Sequence, residues 1–224
     1  MKHAANAEYS SLPERGITEK ILTSQRRKLF AAFTGFRQAA PLGTVLNVYM
    51  KPTTLFDNSD YLFAWSDLPE RMRLTACEME APAVASKAHD TRLPYPDGAF
   101  DWVFCNEVLE HSGGTERQYA LVQELYRVAR RGVFLTTANR RHPLEFKSRI
   151  PLIHLLPDAW WRRLLKWSGK GKWASESMLN PVDAPALYRF ASLLPGKPEH
   201  DVGHKRVLGV KAHFFLMIHK RRTA

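Results

Sequence analysis

The chain reads as an α/β fold built on a doubly wound, mainly parallel sheet, and three observations predict it. Short apolar runs recur at residues 44–50, 73–78, 100–105 and 133–137, each of a length that suits a strand covered on both faces. Between the last two, Tyr119, Val122, Leu125, Tyr126 and Ala129 fall at spacings of three and four, the period of an amphipathic helix. Strands alternating with helices in this way imply parallel pairing. Polar residues also collect where the runs end, and open α/β sheets take their ligands at the carboxyl ends of strands.

Taken in order, Ser11 followed by Glu14 has the form of a capping box, in which each end satisfies a backbone donor of the other. Ile17, Ile21, Leu22, Leu29, Phe30 and Phe33 then recur on one side of one or two helices that end by residues 35–41. This 1–41 segment is expected to cover the sheet and border the mouth of the site. The run T-V-L-N-V-Y-M at 44–50 is the first strand, and residues 73–78 are the second, with Glu78 at its tip. Residues 82–88 are a short, degenerate third. Pro96, Asp97 and Gly98 supply a turn, because Pro fixes φ and Gly accepts a positive one. The fourth strand follows over 100–105. The helix over 115–129 is expected to stop at Gly132 and lead into the fifth strand, 133–137.

The alternation then breaks. Residues 143–195 are expected to form a helical insertion or lid, rich in tryptophan and basic. Within it Trp160, Trp161, Leu164, Leu165 and Trp167 interleave with Arg162, Arg163 and Lys166. A short helix over 184–194 and strands over 206–209 and 212–219 close the chain, which is read as one domain, 1–224.

Composition bounds the function. A hydrophobic content of 45% and a charged content of 25% over 224 residues match a soluble globular domain with a real core. No apolar run approaches the roughly 20 residues that span a bilayer, and residues 1–11 lack a signal-type apolar centre. Cys77 and Cys105 lie in separate apolar runs and are expected to be buried free thiols in a reducing cytoplasm. The net charge of +11 is concentrated: residues 140–173 hold nine Lys or Arg and two acids. That favours an anionic partner, be it a lipid surface, a phosphorylated substrate or nucleic acid. Bases and aromatics share one amphipathic helix, which ranks peripheral contact of residues 160–173 (Trp160 to Trp173) with an anionic membrane above nucleic acid. The pairs His200/His204 and His213/His219 have no third ligand in view, so no metal site is expected. Oligomeric state is not legible.

Residues 93–111 read L-P-Y-P-D-G-A-F-D-W-V-F-C-N-E-V-L-E-H. This wording resembles the central strand region of class I S-adenosylmethionine (SAM) dependent methyltransferases of the type 11 kind, and a weaker likeness runs from Val45 to the C-terminus. The resemblance implies a Rossmann-like sheet of seven strands with an antiparallel closing strand, SAM as cofactor, and methyl transfer as reaction. It places a ribose-binding acid at Glu78 and an adenine contact at His89 or Asp90. It turns Asn106 and Glu107 toward cofactor and acceptor, and makes His111 a general base or the group that orients one. After the fifth strand, Asn139, Arg140, Pro143 and Glu145 match an N-R-x-x-P-x-E stretch found in one group of these enzymes. The resemblance assigns Asn139, Arg140 and Glu145 to the acceptor, with His142 or Glu145 taking its proton.

One departure stands out. The glycines expected after the first strand fall on Tyr49, Lys51 and Thr53, and Asn47 stands where an acid is usual. A Cβ at those positions occupies space that the cofactor needs. The reading is therefore a SAM-dependent methyltransferase with a remodelled cofactor loop, in which Asn47 and Tyr49 border the cofactor. It acts on a small or lipid-linked, anionic acceptor. The alternative is a non-catalytic methyltransferase-like subunit that binds a partner or a membrane. A nicotinamide dehydrogenase would need the G-x-G-x-x-G turn, which is missing here.

Overall fold

In the computed structural model, which describes residues 17–50, 61–79, 92–139, 158–167, 180, 182–207 and 209–220, the apolar runs become strands. These are β1 (Val45–Met50), β2 (Leu74–Met79), β3 (Phe100–Asn106) and β4 (Ala129–Ala138), closed by the hairpin of β5 (Glu199–Val207) and β6 (Val210–His219). The helices are α1 (Ile17–Phe36), α2 (Tyr61–Trp65), α3 (Leu68–Arg71), α4 (Thr115–Val128), α5 (Asp158–Trp167) and α6 (Ala184–Ser192). The described strands form one sheet in the order β2-β1-β3-β4-β6-β5. The first four are parallel, and β6 runs antiparallel to both β4 and β5. The doubly wound, mainly parallel sheet with an antiparallel closing strand is thus present. The third strand expected over 82–88 and the cap at Ser11 lie outside the described residues, so the expected fourth and fifth strands are β3 and β4.

Strand alternation divides the buried side chains between two faces. Leu46, Val48, Val103, Cys105, Val133, Leu135, Leu216 and Ile218 pack with α4 and α6 on one side. Val45, Trp102, Phe104, Phe134 and Phe215 pack with Leu29 and Phe33 of α1 and with Tyr61 and Leu62 of α2 on the other. On the α1 face Phe104, Phe134 and Phe215 form a stacked row across β3, β4 and β6, with centroids 5.8 and 5.2 Å apart. Offset aromatic stacking adds to their burial energy. Both cysteines are free, Cys105 buried and Cys77 partly so. Burial, and then the charge of Glu110, push the Cys105 thiol well up, which keeps it protonated and unreactive. Among the described residues no helix is long and apolar enough to cross a membrane.

The turn at Pro96-Asp97-Gly98 is clamped from α4. Arg127 donates to the carbonyls of Tyr95 (2.8 Å) and Leu93 (3.1 Å) and to the carboxylates of Asp97 and Glu124 (2.8 and 2.7 Å). Glu124 in turn accepts from the Leu93 amide at 2.9 Å. One side chain thus fixes the entry angle of β3. Gly98 has φ +61, the conformation for which the turn selects glycine.

Gly132 does not stop α4. The helix ends at Val128 and β4 begins at Ala129. Gly132 lies inside the strand, where an added Cβ would stand 2.7 Å from the Ile218 carbonyl oxygen and 2.8 Å from the Phe36 ring. It is a packing glycine, chosen for close approach of β6 and α1. The closing hairpin also starts earlier than expected, at Glu199 rather than at residue 206.

Three outcomes are expected. Gly132→Ala should lower unfolding free energy by more than about 2 kcal/mol in urea denaturation, because the backbone it meets cannot yield cheaply. Arg127→Ala should remove about 2–3 kcal/mol, the worth of charged hydrogen bonds in a half-buried site. The hydrogen bond from Arg127 holds the Glu124 carboxyl below its ordinary 4.5. A lowered folded-state value contributes stability that is complete above the ordinary value and lost as pH falls through the folded one. Glu124→Gln should therefore flatten the fall in melting temperature below about pH 4.5.

Candidate active site

The carboxyl ends of β1, β2 and β3 lie abreast. Tyr49 is in register with Glu78 on one side and with Asn106 on the other. Glu78 is exposed at the tip of β2. Asn106 is 2% exposed, and its Oδ1 accepts from the Tyr61 hydroxyl at 3.2 Å and the Thr136 hydroxyl at 2.7 Å. Three elements, α2, β3 and β4, are thereby tied at one buried acceptor. Burial, then the charge of Glu107, push the Tyr61 hydroxyl far up, so it stays a neutral donor.

The next residue, Glu107, has φ 51, a left-handed conformation that side chains resist. Its amide donates to the Thr136 carbonyl at 3.1 Å, so the strain is held by the β3–β4 ladder. The carboxylate Oε1 lies 3.0 Å from Nε2 of His213. His213 comes from β6, where the antiparallel register sets it opposite Ala138 at the carboxyl end of β4. Its side chain is 5% exposed and that of Glu107 is 23%. His213 is therefore the buried support, and Glu107 the partner that solvent reaches. His213 Nδ1 is buried with no hydrogen-bond partner among the described residues.

A second cluster sits on the other face. Residues Leu109–His111 form a single 3-10 turn with Glu110 and His111 buried. The Thr137 hydroxyl donates to Glu110 Oε2 at 3.1 Å. The Asn180 amide donates to the Glu110 carbonyl at 2.7 Å, and its side chain to the Gly113 carbonyl at 3.0 Å. Gln118 donates to the Leu109 and Asn180 carbonyls at 3.3 and 2.7 Å. The turn that carries His111 is clasped by residues distant in sequence.

Of the residues expected at the site, Glu78, Tyr49, Asn106 and Glu107 are brought together along adjacent strand tips. Asn47 is 1% exposed and sits two residues below Tyr49 inside β1, a core position beneath the rim. Asn139 turns toward the sheet: its amide and side chain donate to the carbonyls of Ala212 and Lys211 at 2.8 and 2.7 Å, joining β4 to β6. His89, Asp90, Arg140, His142 and Glu145 lie outside the described residues, as do Lys51 and Thr53. Sequence reading missed His213 as a partner of Glu107, and Tyr61 and Thr136 as the buried support of Asn106. Only the register of β6 against β4 identifies His213.

Residues 54–137 match the methyltransferase domain family. Over this segment the chain is similar to a methyltransferase domain. No curated protein matches the chain. Solved structures similar to it include a SAM-dependent methyltransferase from Aquifex aeolicus, at 14% identity over 92% of this chain and 99% of that one, with a TM-score of 0.39. The methyltransferase domain of a bacterial Hen1 aligns at 9% identity over 88% and 99%, with a TM-score of 0.44. A "possible exported protein" from Bordetella parapertussis aligns at 10% over 96% and 77%, with a TM-score of 0.49.

SAM is the cofactor that this methyltransferase family implies, and the described residues fit it on the ribose side. Glu78 presents an exposed carboxylate at the tip of β2, where it can accept from two hydroxyls. Tyr49, by alternation with Val45, leaves the strand on the α1 face.

The buried acceptor gives the prediction here. Asn106→Ala strips the acceptor from two buried hydroxyls and should cost about 3 kcal/mol, whereas Tyr61→Phe should cost about 1. Urea denaturation of the two single variants and the double variant measures their coupling.

Proposed function

We propose that the protein transfers a methyl group from SAM to a small or lipid-linked, anionic acceptor bound beside Glu107. The Glu107–His213 pair, which joins the tip of β3 to β6, is the observation that carries this reading. Bound SAM supplies an electrophilic methyl on a sulfonium. An acceptor with an O–H or N–H must shed one proton for each methyl received. Glu107 is the exposed member of the pair, so its carboxylate takes that proton. His213 orients it through the 3.0 Å contact, and the Thr136 carbonyl holds the backbone that aims it. Glu78 holds the ribose. The net charge of +11 supports an anionic acceptor through attraction at long range. The glycine positions occupied by Tyr49, Lys51 and Thr53 favour a second reading, a methyltransferase-like subunit that no longer binds SAM.

Calorimetric titration of the whole chain with SAM and with its demethylated product separates the two. The expected result is micromolar binding, weakened about tenfold or more by Glu78→Ala. Glu107→Gln should leave that affinity nearly unchanged while lowering turnover of an acceptor about 10²–10³-fold. His213→Gln should shift the pH profile of turnover with little effect on SAM affinity. The absence of heat and of thermal shift at millimolar SAM overturns the enzyme reading. Gain of binding in Tyr49→Gly with Lys51→Gly would then identify the loop as the block.

A further inference from the structure

Helix α5, Asp158–Trp167, has the sequence D-A-W-W-R-R-L-L-K-W. In a helix, positions separated by three, four and seven residues share a stripe. Trp160, Leu164 and Trp167 form such a stripe, with Arg163 along its border. The stripe is not packed away. Trp160 is 69% exposed and Trp167 85%, Leu164 is partly exposed, and Arg163 and Lys166 are exposed. Two indole rings thus stand about 10 Å apart along the axis, beside cations that face the same solvent.

Large aromatic rings are among the most favourable side chains to bury, so two of them in water on one stripe call for a partner. The partner must accept apolar rings and cations along a single line. An apolar protein groove accepts the rings but leaves Arg163 and Lys166 without a counter-charge. A bilayer surface accepts both, because Trp settles at the level of the headgroups while Arg and Lys meet anionic phosphates just above them. Charge complementarity points the same way: residues 140–173 carry nine bases against two acids. We infer that α5 is a membrane-docking helix that lies in the interface of an anionic lipid bilayer, with Trp160 and Trp167 inserted and Arg163 and Lys166 on the headgroups. The surface is independent of the reaction proposed above and stands or falls without it.

Sedimentation with vesicles tests it on the full chain. The protein should pellet with vesicles of equimolar phosphatidylcholine and phosphatidylglycerol at low salt, and stay in solution with phosphatidylcholine alone. Trp160→Ala with Trp167→Ala should weaken partitioning about tenfold or more. Arg163→Gln with Lys166→Gln should weaken it roughly 25-fold, about fivefold for each charge. Both pairs are exposed, and unchanged circular dichroism melts would show that the variants fold. Raising salt well above the range where charges are felt over about 10 Å should reduce binding. No pelleting with anionic vesicles at low salt overturns the inference, as does pelleting that the tryptophan pair does not affect. Preferential retention by a single-stranded oligonucleotide, lost with the two bases but not with the two tryptophans, also overturns it and assigns the face to nucleic acid.

Discussion

The antiparallel ladder between β4 and β6 is the constraint on which the rest depends. Because β6 is inserted beside β4 rather than added at an edge, the last strand of the chain becomes an interior one. Its alternate residues must then be apolar on both faces. Phe214, Leu216 and Ile218 fill one core and Phe215 the other. The same ladder demands close approach at Gly132, where the Ile218 carbonyl leaves no room for a Cβ. It also carries residue 213 to the carboxyl end of β4. A histidine more than a hundred residues from Glu107 in sequence therefore reaches its carboxylate. Slipping the register by one residue would turn His213 to the other face and break the aromatic row with it. Packing and chemistry are fixed by one set of hydrogen bonds.

Beneath the rim, the polar groups are committed before any ligand arrives. Asn106 is shared by a hydroxyl from α2 and one from β4, and Glu110 is reached by Thr137 and by the chain at Asn180. Buried polar groups of this kind cost stability unless they are paired, and paired they fix one geometry. The strain at Glu107 is tolerated for that reason: its amide is held in the ladder while its φ is positive. Strained backbone at the end of a central strand is a feature of functional sites, and here it aims a carboxylate outward from a rigid base.

The strands of the sheet were legible where the sequence is unambiguous. Residues 100–105 read as a buried strand because every second side chain is large and apolar and a turn precedes them. The match to the methyltransferase domain family, residues 54–137, spans the same stretch. Legibility failed where a residue serves two grammars. Gly132 follows a helical period and so resembles a helix stop, yet its task is close packing within a strand. β5 begins at Glu199 in a polar stretch, since it is an edge strand whose side chains face solvent in part, and no apolar alternation marks it. Glu107 and Asn106 were legible from their place at a strand tip. His213 was not, because its role depends on which strand β6 joins, and periodicity contains no information about neighbours in space.

Charge is arranged at two ranges. Over the whole chain the excess is +11, but the rim carries acids. Glu78 ends β2 and Glu107 follows β3, on the two strands that flank β1, roughly 10 Å apart by two inter-strand spacings. At ordinary ionic strength charges beyond about 8–10 Å are largely screened, so a molecule seated at the tip of β1 feels these two carboxylates directly. On the proposed reaction this division has a use. A cationic cofactor would be favoured beside these carboxylates. Burial, and then the charge of Glu107, keep Tyr61 neutral, so the buried hydroxyl that supports Asn106 remains a donor.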